Sequence, residues 1–240
     1  MKTSKREIST KDTDLQNHRK KRRKKLIYWL IIDLSVAFII FTLLLYRPSR
    51  YNPLDTNSDI LESDEVSPYL LQLLSDIHNN SQLNKSFEVV ITQEGLNDMI
   101  TRADWPVESE GVLLYAPAAV FNPDIIILMG TADFQGIEFV ITIELMLIID
   151  KQGLLNINIP KIKVGAVNIT PLAKIVAKKM YAERLASIED INIYDLRTKI
   201  AASLLNEEPF EPTFEIENDT IRLKKITIEE GKLTAQIIPE

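Results

Sequence analysis

Residues 26–46 read LIYWLIIDLSVAFIIFTLLLY, and no other feature constrains the chain as much. Wound as a helix, 21 residues rise about 31 Å, against a bilayer hydrocarbon core of about 30 Å. Fourteen of them are Leu, Ile, Val or Phe. At roughly −0.5 kcal/mol each, these outweigh the ~3 kcal/mol cost of the single Asp33. Tyr28 and Trp29 stand near the entry and Tyr46 at the exit, where interfacial aromatics belong. A cleaved signal peptide would have a shorter apolar core ending in small residues. Here the exit reads LLLYRPSR, so the run is expected to be an uncleaved anchor.

Charge divides at this segment. Residues 1–25 carry 11 Lys/Arg against 3 Asp/Glu, whereas residues 47–240 carry 17 against 30, a net of −13. Arg19, Lys20, Lys21, Arg22, Arg23, Lys24 and Lys25 run without a break up to the apolar segment. Abutting a span, such a run sets topology and contacts anionic lipid rather than nucleic acid. The expected topology is single-pass in the cell membrane. The N-terminus is cytoplasmic and the C-terminal region extracytoplasmic. Asp33 inside the span is a candidate contact for a partner helix, with simple tolerance as its plain alternative.

The organisation follows. Residues 1–25 are read as a disordered basic tail and 26–46 as the transmembrane helix. Residues 47–66, rich in Pro, Asn, Ser and acids, are read as a flexible acidic linker. Residues 67–240 are read as one extracytoplasmic α+β domain. Ser67-Pro68 opens a helix to about His78. Phe87, Val89 and Ile91 alternate as a strand, and Thr92 caps a short helix carrying Leu96, Met99 and Ile100. Stretches 111–121, 124–133, 137–150 and 154–164 alternate with short turns between them, which predicts an antiparallel, curved meander packed on helices. Pro160 sits where the phase of the last strand switches, so a bulge or an edge is expected there. Thr170-Pro171 opens a second helical region, with Leu172, Ile175, Val176 and Met180 on one face. A further helix runs from about Ile191 to Asn206, and strands over 213–217, 220–229 and 232–238 close the chain.

Chemistry is sparse. There is no cysteine, and His18 and His78 are the two histidines, which excludes thiolate and multi-histidine metal sites. No G-x-S-x-G, Walker, dinucleotide or H-E-x-x-H signature is present. Glu138 and Glu144 lie three pleats apart on one strand, about 20 Å, too far for a glycosidase pair. The expectation is a non-enzymatic protein without a cofactor. Asp104-Trp105-Pro106 reads as a packing anchor in a loop rather than a sugar platform. Lys174, Lys178, Lys179 and Arg184 cluster in an acidic body and suit lipid headgroups, an acidic partner or plain solvent. Strands 111–121 and 124–130 are apolar on both faces. One face can pack on helices, and the other needs a cover. Leu114, Ala116, Ala118, Ile127 and Met129 are therefore read as one side of an apolar groove.

The string Ile91-Thr92-Gln93-Glu94-Gly95-Leu96-Asn97-Asp98-Met99-Ile100, the meander, and Lys163-Val164-Gly165-Ala166-Val167-Asn168-Ile169 carry a resemblance. Together with the basic tail, the span and the acidic linker, they make the chain resemble the YpmS-type membrane-anchored proteins of bacteria. The architecture is also similar to tubular lipid-binding modules, in which a curved sheet wraps a helix. The likeness spans roughly residues 25–240, and this chain departs from it in its longer basic tail. It implies no catalytic residues. The expected role is binding of lipid or another apolar ligand at the cell envelope. The alternative is an accessory or scaffold subunit of an envelope complex.

Overall fold

The computed structural model describes residues 4–53, 66–187, 196–216 and 219–240. The chain forms two compact units, Met1–Leu43 and Leu44–Glu240.

The first unit is built by one helix, α1 (Ser4–Leu44). Its stretch Lys24–Leu44 has a mean hydropathy of 2.3 and is long and apolar enough to cross a membrane. The helix also takes in the basic stretch that composition assigns to a disordered tail. Lys, Arg, Gln and Glu are good helix formers, and no Gly or Pro interrupts the chain before Pro48. The Ser35 and Thr42 hydroxyls donate to the Ile31 and Phe38 carbonyls at 2.8 and 2.9 Å. Their polarity is thus absorbed within the helix.

The second unit begins with α2 (Pro68–Ser81), β1 (Phe87–Thr92) and α3 (Gln93–Thr101). A meander follows: β2 (Val107–Ser109), β3 (Val112–Asn122), β4 (Ile125–Phe134), β5 (Ile137–Ile149), β6 (Leu155–Val164) and β7 (Val167–Asn168). Next come α4 (Thr170–Ser187) and α5 (Leu196–Asn206), and β8 (Thr213–Ile216), β9 (Asp219–Glu229) and β10 (Lys232–Pro239) end the chain. The α+β class and the antiparallel meander match the sequence reading, and the register slips at Ile159–Pro160 as the phase switch required. The terminal strands form a second antiparallel sheet, ordered β1-β10-β9-β8. Leu233 of β10 stands opposite Ile91 of β1, a pairing that local periodicity cannot reveal.

The two sheets pack face to face. Phe121 and Ile126 of the meander meet Ile228 and Leu233 of the second sheet, with Leu96, Leu128 and Leu145 around them. The same face of the second sheet also receives Leu73 and Ile77 from α2. The opposite face carries Glu88, Lys225, Thr227, Lys232 and Gln236, giving the clean alternation of a one-sided antiparallel sheet.

Both long edges of the meander are closed by side chains. β2 covers β3 only at Val112–Leu114. Farther along, Asn97 of α3 donates to the Ala119 carbonyl at 2.8 Å and accepts from the Ala119 N–H at 2.7 Å. Gln93 accepts from the Phe121 N–H at 3.0 Å. At the other edge, buried Ser203 of α5 accepts from the Ile157 N–H at 2.8 Å, and Thr170 accepts from Ile162 N–H at 2.8 Å. Phe210 exchanges both backbone bonds with Leu155. Helix side chains thus stand in for missing strands, which keeps open edges from pairing with other chains. Thr170 is drawn to this task and sits inside α4 rather than capping it; the Ile169 carbonyl accepts from Ala173 instead.

The Thr92–Asn97 turn is built for the same junction. The Thr92 hydroxyl caps α3 through the Gly95 N–H at 3.1 Å. A Cβ at Gly95 would fall inside the Tyr69 ring, whose hydroxyl accepts from the Thr92 N–H at 2.9 Å. Leu96 enters the core between the sheets.

α2 and α3 are tied by one carboxylate. Ser67 caps α2 through the Leu70 N–H and donates its own hydroxyl to Asp98, which also holds Arg102 at 2.9 Å. Burial pushes the Asp98 carboxyl up, but the Ser67 and Arg102 bonds more than offset it, leaving its pKa below the ordinary carboxylate value. A depressed folded pKa contributes stability above the unfolded pKa and loses it as pH falls through the folded one. Urea unfolding at stepped pH is therefore expected to show stability declining below the usual Asp range, with a smaller decline in Asp98→Asn. Parallel pH curves for the two proteins would contradict this assignment.

Two segments acquire their surroundings only in the fold. Residues 48–53, read as the start of a flexible linker, lie against the meander through buried Tyr51; residues 54–65 and 188–195 lie outside those described. Three residues of the apolar face of α4 point outward: Leu172, Ile175 and Val176 are 62%, 68% and 46% exposed, and the Met180 side chain lies outside those described.

Candidate functional site

Residues directly opposite on neighbouring strands share a face. Leu114 opposes Ala132, which opposes Phe139. Ala118 opposes Met129, and Val120 opposes Ile127. Plain alternation would put Leu114 and Ala118 on one face. The strand breaks register between Tyr115 and Ala118, with Ala116 in the left-handed region at φ +51°. The bulge reverses the phase. The five groove residues are thus split. Leu114 lies on the inner face, towards the second sheet, while Ala118, Ile127 and Met129 lie on the outer face. Ala116 sits in the bulge between them. Two concavities result, one on each side of the meander.

The inner one is a small apolar cavity of about 190 Å³, walled by Leu114, Leu128, Gly130, Ile141, Ile143 and Trp105. Trp105 donates its Nε1–H to the Ile100 carbonyl at 2.7 Å, so its polar edge is used internally and its ring serves as wall. That matches a packing anchor.

The outer one is a cleft of about 450 Å³. Its floor is Val120, Ile127 and Met129, and its sides include Tyr46, Pro48, Arg50, Lys163 and Ala166. Tyr51, 5% exposed, packs on Ala118, Val140 and Met129, the last of which also lines the cleft. Its hydroxyl donates to the Ala116 carbonyl at 2.6 Å and shares a 2.7 Å bond with Thr131. Arg47 stacks over its ring at 5.1 Å. Burial pushes the Tyr51 hydroxyl above its ordinary pKa. Two cations flank the floor. Arg50 reaches Asn122 Oδ1 at 3.1 Å, and Lys163 stands 3.8 Å from Glu144. The Thr142 hydroxyl in the wall is buried with no hydrogen-bond partner. Such orphan groups call for an explanation, and a ligand is one.

The remaining candidates do not converge. Glu138 accepts from Tyr115 at 2.6 Å, which together with burial pushes the Tyr115 hydroxyl up to about 12. Glu144 has Lys163 as its partner at 3.8 Å. His78 contacts Gln82 at 2.9 Å at the end of α2. Lys174 is paired with Glu207 at 2.7 Å, which holds that carboxyl below its usual pKa. Asp33, Lys24 and Lys25 are exposed on α1, and the side chains of Arg19, Lys20, Lys21, Arg22 and Arg23 lie outside those described. No cluster of three metal-ligating side chains occurs among the described residues.

Tyr51, Arg50 and Lys163 escaped the sequence reading. The one available signal was an aromatic flanked by Arg50 and Asn52 in a stretch otherwise fit for a spacer. No protein-family model, no curated protein and no solved structure matches this chain.

Proposed function

We propose that this chain is a non-enzymatic, membrane-anchored domain that holds an amphipathic lipid in the outer cleft, at the extracytoplasmic surface of the cell membrane. The observation that carries it is the cleft's composition and place. An apolar floor suits an acyl chain, and Arg50, Lys163 and the unused Thr142 hydroxyl suit an anionic headgroup. Tyr46, in its wall, stands two residues beyond the end of α1. With α1 as a single span and the basic run on the cytoplasmic side, the cleft opens close to where the chain leaves the bilayer. The likeness to YpmS-type proteins and to lipid-binding modules agrees with this reading.

The test is native mass spectrometry of the full chain released from mild detergent, with extraction of any bound mass. A phospholipid-sized adduct is expected on the wild type. Ile127→Glu places an unpaired charge in the apolar floor, and the cost exceeds the ~1.4 kcal/mol that separates a tenfold change in affinity. Retention is expected to fall roughly tenfold or more. A folded wild type that neither carries nor takes up lipid would sink the proposal.

A second reading draws on the far end of the meander, where Val107, Phe134 and Ile137 are exposed on one face. Such a patch fits an accessory subunit docking on another envelope protein. Asp33 in the span is its candidate intramembrane contact. A partner that co-purifies with the wild type and is lost with Asp33→Leu would favour this reading.

A further inference from the structure

We infer that α4 lies on the membrane surface as an interfacial helix, with Leu172, Ile175 and Val176 at the boundary of headgroups and acyl chains and Lys178 beside them on anionic lipid. The inference rests on α1 spanning the membrane, and it is independent of the outer cleft holding a lipid.

Three observations carry it. The first is the direction of the helix. Ala173, Lys174 and Ala177 are half-buried, and α4 packs on α5 and β6. Positions 172, 175, 176 and 179 fall on the opposite side by helical spacing. The chain has thus placed its apolar stripe outward, with Leu172 62% and Ile175 68% exposed. A stripe meant for this unit's core would face the other way.

The second is charge. Lys178 and Lys179 are exposed beside that stripe. They stand on a region, residues 47–240, whose net charge is −13. An acidic body would be repelled from an anionic bilayer, so a local basic, apolar face determines which side can approach it. An apolar face bordered by Lys is the composition of helices that lie in the interface.

The third is reach. Tyr46 and Ala166 line the same cleft, and Tyr46 follows α1 by two residues. Leu172 stands six residues past Ala166, at most about 20 Å of chain. The exposed stripe therefore begins close to the point where the span ends. The tether supplies the high local concentration that a weak surface contact needs.

The absence of cysteine makes the test direct. Phe38→Cys and Ile175→Cys are each labelled with an environment-sensitive fluorophore in the full chain. Both are reconstituted in vesicles of equal parts phosphatidylcholine and phosphatidylglycerol bearing shallow or deep lipid quenchers. The label at 38 is expected to be quenched by the deep probe, and the label at 175 blue-shifted and quenched by the shallow probe. Lys178→Glu with Lys179→Glu, or vesicles of phosphatidylcholine alone, should weaken the signal at 175 and leave that at 38 unchanged. Quenching at 38 without quenching at 175 overturns the α4 proposal while the span stands. No quenching at either site overturns both. A blue shift at 175 that no lipid probe quenches, and that fades on dilution, assigns the face to a second copy instead. Leu172→Cys repeats the measurement one turn earlier, so a local failure of one label does not decide the result.

Discussion

Tyr51→Ala is expected to cost the domain about 3–5 kcal/mol, the range for truncating a buried aromatic. The ring is the plug between the chain leaving α1 and the outer face of the meander, where Ala118, Met129 and Val140 surround it. Its loss also orphans Thr131 and the Ala116 carbonyl at the bulge. Tyr51→Phe keeps the ring and removes the two hydrogen bonds, and should cost about 1–3 kcal/mol. Urea unfolding of the full chain in mild detergent measures both. Deleting everything before residue 64 removes the same ring and is expected to reproduce the Ala loss. A cost below about 1 kcal/mol for Tyr51→Ala would mean that residues 48–53 are a loose spacer after all.

Asn97→Ala should be nearly as severe. Ala119 is 1% exposed, and its N–H and carbonyl have the Asn97 amide as their side-chain partner at the open edge of β3. Each buried backbone group left unpaired costs roughly 1–3 kcal/mol, so a loss of about 2–5 kcal/mol is expected. Hydrogen exchange gives the specific signature: the Ala119 amide should lose protection more than its neighbours on β4. Equal protection at Ala119 in both proteins would show that α3 is not acting as a substitute strand.

Asn97 belongs to the Ile91–Ile100 string singled out in the sequence. In the structure that string is a junction. Thr92 caps, Gln93 and Asn97 bond the β3 backbone, Gly95 makes room for Tyr69, and Leu96 fills the core. Each of these residues has a packing or hydrogen-bonding task in the fold. What resembles a motif is the chemistry of joining a helix to a strand edge.

Elements with strong local signals were legible from the residues alone. The apolar length of 26–46 meets the bilayer thickness without reference to anything else in the chain. The unbroken alternation from Ile137 to Ile149, and the Ser67 and Thr92 caps, define their elements within a few residues. The candidate site was legible only in part. Apolarity on both faces of β3 and β4 is a composition, and it asks for a cover on the second face without saying what supplies it. Which face each residue joined depended on the bulge at Ala116–Pro117, because one extra residue reverses a period of two. Pro117 was the one local signal, since a strand proline favours a bulge or an edge, but it does not say which residues change face.

The remaining features are long-range. β1 pairs with β10 across more than a hundred residues, and Tyr51 bonds strand residues 65 and 80 positions further on. The direction of α4 was undecided for the same reason. Helical period places Leu172, Ile175 and Val176 together, but only the docking of Ala173 and Ala177 on α5 and β6 turns that stripe outward. The sequence by itself determined the long apolar helix, the charge asymmetry, the meander and the helix starts, since each depends on neighbours within a few residues. The tertiary structure alone decided the second sheet, the closed edges, the outer cleft and the exposed face of α4. Those depend on which surfaces meet, and that choice is made by the summed burial of residues far apart in the chain.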